Sequence, residues 1–273
     1  MINPISLILD KVSTITPKKN MPTNYLISFP KCGRTWLGLM VGHYISHHYQ
    51  LDTDDYLDLR GMHELNPRVP IITKRHDDKP VDKVPSALKR RKWRYWRNKV
   101  IFLVRDPRDV ITSRWFAVKH REKVRYDGEL NEYLRDDVGS LATIVEYFNI
   151  WYDQRACSRD FLLVRYEDLH GNAATTLRGV LEFIGIDGVD DALLDGAVAF
   201  GSFENMRELE HNNAFNKRML RPETKGDFRS YKTRKGVIGD HEDLLDAKNF
   251  AFVDEYINRH LNPAFGYTKR ISG

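Results

Sequence analysis

Four short apolar runs punctuate the chain at residues 25–29, 71–73, 100–104 and 161–164. The last two are continuous, as expected of strands covered on both faces of a parallel sheet. Between the runs, apolar residues recur at helical spacing over about 35–49, 86–97, 107–119 and a long stretch from 129 to 156. Beyond the fourth run the same period covers 173–184, 190–199, 203–210 and 244–259. Strands alternating with helices predict an α/β fold, one domain with a central parallel β-sheet flanked by helices. Ligands bind such sheets at the carboxyl ends of the strands.

Residues 211–239 break the pattern. They are polar and basic, with Lys217, Arg218, Arg221, Lys225, Arg229, Lys232, Arg234 and Lys235, and read as a flexible loop over the active site. Long loops in compact domains are usually functional or disordered. Residues 1–22 read as an amino-terminal extension. With no linker or repeat in evidence, residues 1–273 form a single expected domain.

Composition narrows the class. Of 273 residues 41 % are apolar, enough for a substantial core, and the net charge of +5 suits an anionic ligand without demanding nucleic acid. Two cysteines, Cys32 and Cys157, exclude a disulfide framework and fit a reducing compartment. The apolar run near the amino terminus lacks the basic residues of a signal peptide, and no run reaches the ~20 residues of a membrane span. A cytoplasmic location is expected.

The first strand runs into Phe29-Pro30-Lys31-Cys32-Gly33-Arg34-Thr35-Trp36, and a helical pattern follows at once. A strand that turns through a glycine loop into a helix aims backbone N–H groups and the positive end of the helix dipole at one spot, which suits phosphate or sulfate. The loop is P-loop-like in this sense only. A nucleoside-triphosphate loop requires Gly-Lys-Ser or Gly-Lys-Thr after a glycine-rich run, whereas Lys31 precedes Gly33.

Three further clusters carry chemistry. After the third strand, Asp106 is a good N-cap and Pro107 fits the first helical position, so Arg105 ends the strand and Ser113 lies two turns along a helix. Both can converge on one anion, although an Arg–carboxylate pair and a small packing serine would read the same. Lys74-Arg75-His76 ends the second strand, where alternation puts Lys74 and His76 on one side. Histidine is the natural general base near neutral pH. Finally, Arg234-Lys235-Gly236 precedes Gly239-Asp240, a basic turn suited to a second phosphate or simply to solvent.

Together these segments resemble the cytosolic-type sulfotransferases that use 3′-phosphoadenosine 5′-phosphosulfate (PAPS) and release 3′-phosphoadenosine 5′-phosphate (PAP). The resemblance implies that Lys31, Cys32, Gly33, Arg34, Thr35 and Trp36 form the 5′-phosphosulfate loop. It implies that Arg105, Ser113, Arg234, Lys235 and Gly236 hold the 3′-phosphate. Trp36, Tyr166 of Tyr166-Glu167-Asp168 and Phe203 of Ser202-Phe203 would lie beside the adenine. His76 would be the catalytic base, with Lys31 and Lys74 stabilising the leaving phosphate, so that no metal is required. The family often has Ser at position 32 and Thr at 34, where this chain has Cys32 and Arg34, and His241 stands where Trp is common. A short carboxy-terminal dimer motif is not evident, which leaves oligomeric state open.

Two other readings use the same residues. A P-loop-type kinase of a nucleotide or small molecule would share the fold but needs the missing triphosphate loop and Mg²⁺ ligands. A basic polyanion-binding module could use Lys89 to Arg97 interleaved with Trp93, Tyr95 and Trp96, although such a run is usually a solvated helix face. His43 and His47 share metal-binding spacing without an acidic partner, and read as helix-surface residues. The acceptor, a small molecule or glycan, is expected between His76, residues 115–135 and the basic loop.

Overall fold

The computed structural model describes residues 22–121, 126–215, 220–224, 226–233 and 235–268. Its frame is a sheet of four parallel strands, β1 (Asn24–Ser28), β2 (Ile72–Arg75), β3 (Lys99–Val104) and β4 (Asp160–Arg165), in the order β2-β1-β3-β4. From β1 the chain crosses to β2 on one side, then returns past β1 to β3 and on to β4. Right-handed crossovers in opposite directions put their helices on opposite faces. Helix α1 (Arg34–His48) packs with α7 (Ala173–Phe183) and α8 (Asp191–Phe200). On the other side α3 (Pro107–His120), α5 (Leu141–Asp153) and α10 (Ala247–His260) pack together. The order reverses between β1 and β3, so the loops after these two strands flank one crevice, the usual ligand position in open α/β sheets.

Central strands explain the core. In β3 every residue after Lys99 is buried, and Phe102 stacks on Trp151 of α5 with ring centroids 5.6 Å apart. The expectation for the fourth run needs correction: β4 pairs on one side only and is largely half-buried, an edge strand despite its continuous apolar sequence.

Two helical expectations also change, and one helix is unexpected. Residues 86–97 form no helix but two 3₁₀ turns, Pro85–Ala87 and Trp93–Tyr95. Asp77 accounts for this. It accepts Lys92 Nζ at 2.8 Å and Tyr95 Oη at 2.7 Å, drawing both inward and leaving Trp93 and Trp96 exposed. The long 129–156 stretch divides into α4 (Leu130–Tyr133) and α5 at Gly139, whose φ of 63° and approach to the Val81 carbonyl exclude a side chain. A short helix α6 (Tyr166–Gly171), unmarked by periodicity, starts directly at the end of β4. Two further helices complete the order, α2 (Gly61–Leu65) before β2 and α9 (Phe203–His211) after α8.

Candidate active site

After β1 the chain curls through two left-handed residues, Lys31 (φ 78°) and Gly33 (φ 91°), before α1 begins. No side chain caps α1, so its first-turn amides remain available to an anion. Gly33 is required twice over. Its backbone is left-handed, and a Cβ there would lie 2.6 Å from the Tyr166 ring. The loop therefore presses flat against the first residue of α6.

The same arrangement recurs across the crevice. Gly236 has φ 67°, and a Cβ would meet the Phe203 ring at 2.3 Å. Between these two glycine–aromatic contacts lies a cavity of about 460 Å³. It is lined by Lys31, Gly33, Thr35, Trp36, Arg105, Ser113, Tyr166, Phe203, Lys235 and Gly236, which brings together most of the expected donor residues. Trp36 is fixed by a 2.7 Å hydrogen bond from Nε1 to the Gly201 carbonyl, and its ring meets Tyr166 edge-on at 5.4 Å. The Arg105 guanidinium lies over the other part of this aromatic group, 4.4 Å from the Tyr166 centroid.

Asp106 caps α3 as its sequence suggests, accepting the Arg108 amide at 2.9 Å. The next carboxylate, Asp109, organises the site. It is fully buried and accepts Arg105 Nη2 at 3.0 Å, the Gly239 amide at 2.9 Å, and both the amide and Nδ1 of His241. These donors hold its carboxyl down at about 2 against the opposing effect of burial. His241, where the family often has Trp, thus ties the late turn to α3. Lys235 lines the cavity but pairs with Asp240 and Asp243, at 2.7 and 3.1 Å. Arg234 lies outside the described residues.

Four expected residues lie off this cavity. Cys32 is fully buried beneath the loop, and desolvation pushes its thiol far above the ordinary range. Arg34 turns away and places Nη2 2.8 Å from Nε2 of His76. His76 Nδ1 lies 2.9 Å from the Ser28 carbonyl, so the neutral tautomer donates at Nδ1 and accepts at Nε2. Tyr147 Oη donates to the His76 carbonyl at 2.6 Å. Burial, then Arg34, hold the imidazole down at about 3. Lys74 Nζ donates to the Leu57 carbonyl at 2.5 Å, its stem against Gly38 of α1. Lys74 and His76 share a strand face but reach different partners.

Several lining residues are not among those the sequence singles out as a site. His170 lies four residues after Tyr166 on α6 and reaches the Gly236 carbonyl at 3.0 Å, a spacing that could have marked it. Lys232 and Thr233 enter from the basic segment. Glu210, fully buried at the end of α9, accepts the Lys232 amide at 2.6 Å, the Thr233 amide at 2.9 Å and the Thr233 hydroxyl at 2.7 Å. Lys31 is pushed well below its ordinary range by burial, with Arg121, Lys232 and Arg114 adding to the effect. Burial and Arg121 bring Lys232 to about 7.

His43 is not a free surface residue. It stacks on Phe200 and on His47, at 4.5 and 4.1 Å, and burial lowers it to about 4. Among the described residues no group of three His, Cys, Asp or Glu side chains could hold a metal ion, and no helix is long and apolar enough to cross a membrane.

An uncapped helix, buried cations and an aromatic-walled cavity at the switch point suit an anionic ligand that carries a ring system. Comparison with known proteins names the kind. The sulfotransferase-domain family profile matches residues 22–264, and the chain belongs to that family of sulfuryl-transfer enzymes. Cytosolic sulfotransferase 16 of Arabidopsis thaliana is 25 % identical over 85 % of this chain and 74 % of its own. Sulfotransferase 1E1 of Rattus norvegicus is 24 % identical over 86 % and 82 %. Among solved structures, mouse sulfotransferase SULT7A1 complexed with PAP superposes with a TM-score of 0.62 at 19 % identity, covering 88 % of this chain and 84 % of that one. Retinol dehydratase complexed with androsterone and PAP gives 0.61 at 17 %, over 87 % and 80 %.

Proposed function

We propose that this chain moves a sulfuryl group from PAPS to a hydroxyl or amine of a small-molecule acceptor in the cytoplasm. One observation carries the reading: residues from five separate parts of the sequence line one cavity. Its chemistry fits the donor. The uncapped start of α1 and Lys31 suit a phosphosulfate, Arg105 and Ser113 suit a second phosphate, and Trp36, Tyr166 and Phe203 offer ring faces for a purine. A Cβ at Gly33 or Gly236 would press on the Tyr166 or Phe203 ring that lines this space. Solved relatives hold PAP, and relatives by name act on amines or are complexed with retinol or androsterone.

The donor supplies an activated sulfuryl group, and the protein's part is positioning, charge stabilisation and one proton transfer. Lys31 and the α1 amides meet the negative charge that grows at the leaving phosphate. Lys74 helps through its position beside α1. His76, neutral with Nε2 as acceptor, takes the acceptor's proton once Arg34 gives way. Two lysines then do the work of charge neutralisation that a metal does in phosphoryl transfer.

The test is transfer of labelled sulfur from PAPS to a panel of phenols, alcohols and amines in EDTA. Activity with ATP and Mg²⁺ in place of PAPS would establish the kinase reading instead. His76→Ala is expected to keep PAP binding and lose ~10²–10⁴-fold in turnover, the usual loss for a general base. Wild-type turnover in that variant would remove His76 from the mechanism.

A further inference from the structure

Trp93 and Trp96, between β2 and β3, are 68 % and 59 % exposed, although indole rings are among the side chains that gain most from burial. The 3₁₀ turn Trp93–Tyr95 accounts for their display, because residues three apart eclipse in a 3₁₀ helix. Lys92 and Tyr95 share the buried side, and Asp77 holds both. Trp93 and Trp96 share an outer side, the Trp96 amide donating to the Trp93 carbonyl at 3.2 Å. Arg94 and Arg97 share the third, and Arg91 continues their spacing ahead of the turn; all three arginines are exposed.

Cations are in surplus around these rings. Lys89 and Arg90 have carboxylate neighbours, Asp78 at 3.8 Å and Glu146. Among the described residues Arg91, Arg94 and Arg97 have none, and Arg97 instead lies over the Trp96 ring, 4.2 Å from its centroid. No acidic residue occurs in the chain between Asp82 and Asp106.

Two exposed indoles beside unpaired guanidinium groups match the surface of an anionic bilayer. Indole rings settle at the level of the lipid headgroups, and cations near such a bilayer gain from its negative surface potential. A single-stranded nucleic acid needs open ring faces on which to stack its bases, and Arg97 covers one face of Trp96. At a bilayer the same pair is complementary as it stands, ring toward the headgroup layer and guanidinium toward a phosphate. None of residues 88–98 lines the donor cavity, and the segment leads into the amino end of β3, so docking here leaves the cavity free.

We propose that the turn bearing Trp93 and Trp96, with Arg91, Arg94 and Arg97, docks this protein on the surface of an anionic phospholipid bilayer without crossing it. The inference goes beyond the sulfuryl-transfer reading and does not depend on it.

The test is co-sedimentation of the protein with vesicles of phosphatidylcholine alone, or of equal parts phosphatidylcholine and phosphatidylglycerol. Wild type should bind the mixed vesicles at least ~10²-fold more tightly at low salt, and added salt should erase the difference. Arg91→Gln/Arg94→Gln/Arg97→Gln should lose most of that preference. Trp93→Ser/Trp96→Ser should lose about tenfold in affinity, together with the quenching of tryptophan emission by brominated lipid in the mixed vesicles. Both variants should keep the wild-type Tm within a few degrees, since only exposed groups change. Equal binding of wild type to both vesicles, or binding to neither, overturns the proposal. So does quenching that survives in the tryptophan variant. Tighter binding of wild type to heparin or a single-stranded oligonucleotide than to the mixed vesicles would overturn it equally, and assign the patch to a polyanion in solution.

Discussion

Arg34 Nη2 lies 2.8 Å from His76 Nε2 and takes up the lone pair that a general base needs. With Nδ1 engaged by the Ser28 carbonyl, the imidazole is held as one neutral tautomer between a cation and a strand end.

Removing that cation should release the base. In Arg34→Thr the His76 ring is expected to titrate above the wild-type value of about 3, still below 6.5 because burial is the larger cause. A base works when deprotonated, so the acidic limb of the kcat profile should move to higher pH by the same amount. Histidine resonances followed by NMR against pH, beside the rate profile, check this; a His76 titration unmoved by the substitution would show that Arg34 exerts no hold on it.

Gly33→Ala and Gly236→Ala should each damage donor binding before they damage the fold. An alanine at 33 must adopt φ 91° and meet Tyr166 at 2.6 Å, and one at 236 must adopt φ 67° and meet Phe203 at 2.3 Å. Strain of this kind costs about 1–3 kcal/mol, part of it relieved by moving the ring. Displacing either ring reshapes the cavity wall, so PAP affinity by calorimetry is expected to fall at least tenfold, with Tm lowered by a few degrees.

Asp109→Asn should loosen the late turn. The substitution turns one acceptor oxygen into a donor facing Gly239, His241 and Arg105. Unsatisfied buried partners cost about 1–3 kcal/mol. Urea midpoints should fall accordingly, and the KM for PAPS should rise more than kcat falls, because Arg105 and the 235–241 turn lose their common anchor.

The protein should lose stability on mild acidification. His76 titrates near 3 folded and 6.5 unfolded, so between these values the unfolded chain binds a proton that the folded chain refuses. Stability therefore falls as pH drops below 6.5, by about 1.4 kcal/mol per unit from this residue, until the folded group itself protonates near 3. Lys232 contributes at the other end: lowered to about 7, it makes stability rise with pH between about 7 and 10.5. Urea unfolding across pH 4–7 checks the first part, and a His76→Gln variant should show a shallower slope.

What the sequence reveals is governed by distance along the chain. The β1–α1 and β3–α3 turns are local, and the run to Trp36 and the Asp106-Pro107 start fix both loops that flank the crevice. The Asp109–His241 and Glu210–Lys232 relationships join residues 132 and 22 apart, and no local period records them. Residues 86–97 show the opposite failure. Their helical spacing is real, yet the long-range pull of Asp77 on Lys92 and Tyr95 wins. Arg34 was visible as a departure from the family pattern, but its partner was not, because the contact spans 42 residues.

Lys232 and Lys235 stand three residues apart on one stretch, with Glu210 holding the Lys232 amide and Asp109 holding the turn beyond it at Gly239 and His241. Three residues span at most ~10 Å of chain, less than the length of a nucleotide. Both lysines line the same cavity, so that stretch is one short piece of its wall. Neither lysine can shift far without dragging the other, and the wall moves as a unit.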